Sequence, residues 1–157
     1  MDRAKIFKET ISKLERFCDY QERCTADVQK KLYDLRSPEF INDDVIEYLI
    51  ENKFLDDLRY AKSFVYGKFS NKKWGRKKIF AALRAKRVKS ELINIAFNDL
   101  DEDEYYKTLV YICDIKSRSI GDLKQDLNKK KLMNFALQRG FESFLIWKYI
   151  NAVNSKS

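Results

Sequence analysis

The residues best suited to chemistry in this chain are cations. The run Lys72-Lys73-Trp74-Gly75-Arg76-Lys77-Lys78 is followed closely by Arg84, Lys86, Arg87 and Lys89. Residues 58–90 hold twelve lysines and arginines and no Asp or Glu, within a chain of net charge +8. A solvated helix face usually mixes its signs so that i,i+4 pairs form. A long stretch of one sign repels itself until a polyanion neutralises it. The run therefore reads as a phosphate-binding surface, with Trp74 able to stack on a splayed base. A second reading stays open. The acidic flanks, Glu39 to Asp57 on one side and Asp99 to Glu104 on the other, could pair with these cations in space, and Trp74 could anchor a helix start instead.

Other chemistries find little support. The sequence contains no His, so it offers no imidazole base, no Ser-His-Asp arrangement and no His metal ligand. Cys18, Cys24 and Cys113 are odd in number, form no CxxC and fall beside apolar helical positions. They read as buried free thiols. Asp101, Glu102 and Asp103 could serve a metal-dependent nuclease, but acids of that pattern suit a helix start, where the dipole is positive. No catalytic residue, metal or cofactor is expected. No apolar run approaches the ~18 residues of a membrane span, and Met1 to Glu9 lack the apolar core of a signal peptide. The expectation is a cytoplasmic, monomeric protein that makes no membrane contact.

The elements that must position the cations are helices. Gly and Pro are scarce, four and one respectively. Apolar residues recur at helical spacing: Phe7, Ile11, Leu14, Cys18; Val28, Leu32, Leu35; Val45, Leu49 beside Ile46, Ile50; and so on to Leu145, Ile146, Tyr149, Ile150, Val153. This predicts about nine helices, with a further turn near Leu123 and Leu127. Thr25 is read as capping the helix of Val28, and Asn42 or Asp43 as capping the next. Pro38 forces a break near Ser37, and Gly140 fits a left-handed C-terminal cap.

The pieces repeat at about 50 residues. A shift of 53 brings Ile79 onto Leu132, Leu83 onto Ala136, Val88 onto Phe141 and Phe97 onto Ile150. A shift of −51 brings Ile79 onto Val28 and Leu83 onto Leu32; one of −47 brings Phe97 onto Ile50. The difference is an extra loop at Ser37-Pro38-Glu39-Phe40. Leu55-Asp56-Asp57 and Leu100-Asp101-Glu102 open successive units. The fold expected is all-α, an elongated array of three tandem three-helix repeats: residues 1–54, a basic unit at 55–99, and 100–157. Such an array offers a long surface, suited to binding along a polymer.

Leu55-Asp56-Asp57-Leu58-Arg59-Tyr60-Ala61 resembles the "LDDxRFA" signature of the RecX family. Trp74-Gly75-Arg76-Lys77-Lys78-Ile79 and the residues after it resemble the family's "KGxxRIxxEL". Arg139-Gly140-Phe141 resembles its "KGF". Tyr60, Ala82 and Arg87 depart from the family's usual Phe, Glu and Gly. The resemblance implies a non-enzymatic regulator of the RecA recombinase. It would bind the RecA–single-stranded DNA filament, inhibit its ATPase, strand-exchange and coprotease activities, and contact single- or double-stranded DNA directly, within DNA repair, recombination and the SOS response. The residues expected to meet nucleic acid or filament are Lys72, Lys73, Trp74, Arg76, Lys77, Lys78, Arg84, Lys86, Arg87 and Lys89, of which about half can share one side of a helix. The motif residues are Leu55, Asp56, Asp57, Arg59, Tyr60 and Gly75. A sequence-specific helix-turn-helix regulator is the alternative, with residues 76–86 in a major groove and a dimer on a palindrome. The basic segment has no Asn or Gln beyond Asn71 to read adenine.

Overall fold

A computed structural model describes residues 2–156. Among these residues there are nine helices and no strand: α1 (Arg3–Tyr20), α2 (Thr25–Asp34), α3 (Glu39–Glu51), α4 (Asp57–Lys72), α5 (Arg76–Ala85), α6 (Ser90–Phe97), α7 (Glu102–Ile120), α8 (Asp126–Gln138) and α9 (Ser143–Ser155). No described helix is long and apolar enough to cross a membrane. The turn expected near Leu123 and Leu127 is no separate helix. It is present as a hydrogen-bonded turn, the Gln125 amide donating to the Asp122 carbonyl at 3.3 Å; Leu123 is buried in that turn ahead of α8, and Leu127 is exposed in the first turn of α8.

The apolar stripes close into three buried clusters along the chain. Leu14, Val28, Leu32, Ile41, Val45 and Leu49 belong to the first. Ala61, Val65, Ile79, Leu83, Ile93 and Ala96 belong to the second. Tyr105, Leu109, Leu132, Ala136, Ile146 and Ile150 belong to the third. Helices pack chiefly within their own group of three. The accessible surface is 10097 Å², against roughly 8,300 Å² for a compact monomer of this mass. The excess is that of an elongated array of three-helix repeats. Of the two rows read on α3, only that of Val45 and Leu49 is core; Ile50 is 51% exposed.

The repeat is visible in the backbone. The second helix of each unit ends on a left-handed residue: Arg36 (φ 55°), Arg87 (φ 61°) and Gly140 (φ 98°). In each case the following amide donates to the carbonyl five residues back, Ser37 to Leu32, Val88 to Leu83 and Phe141 to Ala136, at 3.0, 3.1 and 3.1 Å. Two of the three use arginine where glycine would be unstrained, at a cost of roughly 1 kcal/mol each.

Two caps differ from expectation. Cys24 is the residue before α2, and the Thr25 hydroxyl, inside the helix, donates to Asp57 at 3.0 Å. α3 starts at Glu39, because Pro38 with φ −59° already has the angle a helix start needs. Asn42 therefore lies within the helix, and its Oδ1 is buried without a hydrogen-bond partner among the described residues. The three cysteines are free and buried. Burial pushes the Cys18 thiol up to about 11 and that of Cys113 to about 12.

Candidate nucleic-acid and filament interface

The cationic run begins at the joint between the second and third units. Gly75 meets Gly140 there, backbone to backbone. The Gly75 amide donates to the Arg139 carbonyl at 2.7 Å, and the Lys77 amide to the Gly140 carbonyl at 2.9 Å. A Cβ on Gly75 would collide with the Gly140 carbonyl group and the Phe141 nitrogen. The motifs around Gly75 and Gly140 are thus two halves of one contact, and the first amides of α5 are satisfied by the next unit.

Arg76 completes the joint. Its Nε donates to Glu142 and its Nη1 to Glu102, both at 2.7 Å. Its amide donates to the Tyr105 hydroxyl at 2.8 Å, which donates in turn to Glu142 at 2.5 Å. The guanidinium lies 4.0 Å from the Tyr105 ring centroid, and Phe69 stacks on the same ring. Burial works against the Arg76 charge, but the Glu102 hydrogen bond and the Glu142 charge outweigh it and hold the guanidinium firmly protonated. Burial likewise raises the Tyr105 pKa, with the Glu142 hydrogen bond adding to it.

The Leu55 to Tyr60 motif forms the joint between the first and second units. Leu55 is buried in the first cluster, while Cys24 is buried in the second. Asp56 caps α4 by accepting from the Arg59 amide at 3.1 Å. Asp57 accepts from the Thr25 amide at 2.8 Å and so serves the start of α2. Arg59 pairs with Glu22 at 2.5 Å and donates to the carbonyls of Lys53 and Phe54. Tyr60 is half-buried and tilts against Phe64. Lys86 pairs with Asp27 at 2.6 Å. That hydrogen bond raises the Lys86 pKa; on Asp27, burial pushes up but the Lys86 and Cys24 hydrogen bonds prevail and lower it.

The ten expected contact residues therefore divide. Arg76 and Lys86 are held by carboxylates, of which only Glu102 belongs to the acidic flanks that the second reading named; Glu142 and Asp27 lie outside them. Arg87 donates to Gln29 at 2.9 Å, Arg84 folds back onto the Val88 carbonyl at 2.9 Å, and Lys73 reaches the Ser70 carbonyl at 2.7 Å. Trp74 is half-buried against the second cluster, and the ammonium groups of Lys68 and Lys78 rest 4.9 and 4.5 Å from its ring. Among the described residues, Lys72, Lys77 and Lys89 form no side-chain ion pair; all three are exposed. Lys77 and Arg84, seven apart on α5, share its outer face. Two of the three acids weighed for a nuclease have other work. Asp101 caps α7 and Glu102 holds Arg76. Among the described residues no group of three acids or thiols is placed to hold a metal ion.

Sequence reasoning placed Glu102 in an acidic flank able to pair with the cations but missed Tyr105 and Glu142 as the further partners of Arg76. The signal lay in the repeat: Arg76 stands in the register of Thr25, and Glu102 in that of Asp57. The pair Thr25–Asp57 at one joint becomes Arg76–Glu102 at the other.

Fold and site together define an all-α protein of tandem three-helix units, stitched at joints of matching register, with a cationic middle unit. Residues 56–96, which span most of that unit, match the family model "RecX, second three-helix domain". The regulatory protein RecX of Clostridium tetani (strain Massachusetts / E88) is 30% identical over 116 residues, covering 71% of this chain and 50% of that protein. The regulatory protein RecX of Serratia proteamaculans (strain 568) is 34% identical over 103 residues, covering 63% and 57%. The chain thus spans little more than half the length of these curated relatives. The crystal structure of RecX from Lactobacillus salivarius superposes with a TM-score of 0.87 at 20% identity, over 96% of this chain and 98% of that one, a likeness of fold. The chain belongs to the RecX family.

Proposed function

We propose that this chain is a non-enzymatic regulator that binds the RecA–single-stranded DNA filament and inhibits its ATPase, strand-exchange and coprotease activities, in the regulation of DNA repair and recombination and of the SOS response. Family membership supports the reading, and the relatives matched are named regulatory proteins. The observation that carries it is the charge left over in the second unit once its internal pairs are made. Among the described residues Lys72, Lys73, Lys77, Lys78, Arg84, Arg87 and Lys89 meet no carboxylate, and the chain outside residues 58–90 is net acidic.

These cations act by releasing counterions from phosphates, a contact that depends on salt and not on base sequence. Arg76 and Lys86 take no part, since their charge is spent at the joints. Base stacking by Trp74 requires a lysine to leave its ring. The flanking units grip protein. An array held rigid by its joints restrains a filament only if it binds one conformational state of the recombinase more tightly than another.

The test is ATP turnover by the cognate recombinase on single-stranded DNA, with the purified protein added. Inhibition at stoichiometric amounts is expected, and no effect would refute the reading. The joined substitution of Lys72, Lys73, Lys77 and Lys78 by Glu should weaken DNA binding and flatten its log–log salt dependence by up to about 3, from about 0.7 per phosphate contact on single strands. An unchanged slope would reject these residues.

A further inference from the structure

We infer that the groove at the joint of the first and second units is a docking site for an acidic segment of a partner protein, one that carries a bulky apolar side chain among its carboxylates. This goes beyond the DNA contact proposed for the second unit and rests on a different comparison, that of one joint with the other.

At the joint of the second and third units, Arg76 fills the space between Glu102 and Glu142. The repeat places Thr25 in the register of Arg76, Asp57 in that of Glu102, and Lys89 in that of Glu142. Thr25 is too short to fill the equivalent space. It reaches Asp57 only, and a groove of about 730 Å³ stays open, a size typical of ligand sites. The sign of the wall is also reversed. Where the closed joint has Glu142, the open one has Lys89, with Lys53 and Arg87 lining the same groove. Neither Lys53 nor Lys89 has an ion-pair partner among the described residues. The acids of the groove are spent: Asp57 holds the start of α2 and Asp56 caps α4.

The floor distinguishes protein from nucleic acid. Ile50 is 51% exposed there, beside Leu58 and Leu92. A phosphodiester chain has nothing to bury on those side chains. A peptide seats an aliphatic or aromatic side chain on the floor and sets its acids on Lys53, Arg87 and Lys89.

The experiment uses the full chain and fluorescence anisotropy. The first probe is a labelled decapeptide with Leu-Phe at its centre and four Asp or Glu on each side; the second is labelled oligothymidylate. Saturable peptide binding is expected, and it should be lost when Leu-Phe becomes Ser-Ser. Lys53→Glu with Lys89→Glu should weaken the peptide about tenfold. Lys130→Glu with Lys131→Glu, an equal charge change on the third unit, should move it less than about twofold. Thr25→Arg plugs the groove, so it should weaken the peptide despite adding a positive charge. Any one of these results overturns the inference: no saturable binding up to about 1 mM, equal losses in the two double variants, or a Thr25→Arg protein that binds more tightly. Oligothymidylate reports on the second unit's cations as a whole, and since Lys89 is only one of those proposed phosphate contacts, it should lose less than the peptide in Lys53→Glu/Lys89→Glu. If it loses as much as the peptide in Lys53→Glu/Lys89→Glu, and the peptide ignores its apolar centre, the groove takes phosphate and the inference fails.

Discussion

Replacing Gly75 by alanine adds a single methyl group and should part the second unit from the third. The backbone at Gly75 has φ −82° and ψ 170°, a conformation any residue adopts. Alanine is therefore unstrained there, and would alone favour folding by about 0.4–1 kcal/mol through the unfolded chain. The obstacle is tertiary. The new Cβ meets the Gly140 carbonyl and the Phe141 nitrogen, which are main-chain atoms and cannot rotate away. Three hydrogen bonds across the joint lengthen or break: Gly75 amide to Arg139, Lys77 amide to Gly140, and Arg139 Nη1 to the Lys72 carbonyl. At about 1 kcal/mol each, the net loss is about 2 kcal/mol, or a fall of roughly 4–8 °C in the melting temperature for a chain of this size. Arrays of repeats lose cooperativity when an interface fails. Trp74 reports on the second unit and Trp147 on the third, so single-tryptophan variants should melt together with Gly75 and apart with alanine. A control sits eight residues upstream. Gly67 is inside α4, and a methyl group there would meet nothing within 4 Å, so Gly67→Ala should stabilise by about 0.5–1 kcal/mol. If Gly75→Ala proves neutral or stabilising, with both tryptophans melting together, the tight joint is not what holds the array.

Arg36 is left-handed and its side chain is exposed, so Arg36→Gly should raise the urea midpoint by an amount worth roughly 1 kcal/mol. Arg76→Ala leaves Glu102 and Glu142 without their cation and should cost about 2–3 kcal/mol, whereas Lys77→Ala should stay within about 0.5 kcal/mol by the same unfolding curve. The folded-state pKa of Asp27 lies below its usual 3.8. Its contribution is full above that value and is lost as pH falls through the lowered one, so acid unfolding of Asp27→Asn should show a smaller pH dependence below about 4 than that of the parent. The buried thiols should resist alkylation at pH 8 in the native protein and react on unfolding, as a thiol-titration time course would read.

Much of this molecule is written in its local pattern. Helix positions follow from the spacing of residues such as Val28 and Leu32, and from the break that Pro38 imposes. The repeat was legible because the three units bury the same register, and that register extends to single hydrogen bonds: Leu32, Leu83 and Ala136 each accept from the residue five places on. Arg87, which stands where the family usually has Gly, takes the same left-handed backbone as Gly140. What misled was chemistry that looks alike in one dimension. Thr25 and Asn42 are good cap residues by type, yet the chain enters those helices at Cys24 and Pro38, because a cap is chosen by how the incoming segment packs.

The charge run marks the limit. Composition settles that residues 58–90 are cationic, and no fold can change that. Which of those cations remain open to a ligand is a matter of distance in space. Arg76 meets Glu102 and Glu142, 26 and 66 positions away, and Lys86 meets Asp27 at 59. A carboxylate so remote leaves no local trace, and it comes within about 3 Å only because one unit packs its helix starts against the turns of the next. Coulombic pairing acts over a few ångströms whatever the separation along the chain, so the helices follow from nearest neighbours, while the working surface follows from how the units stack.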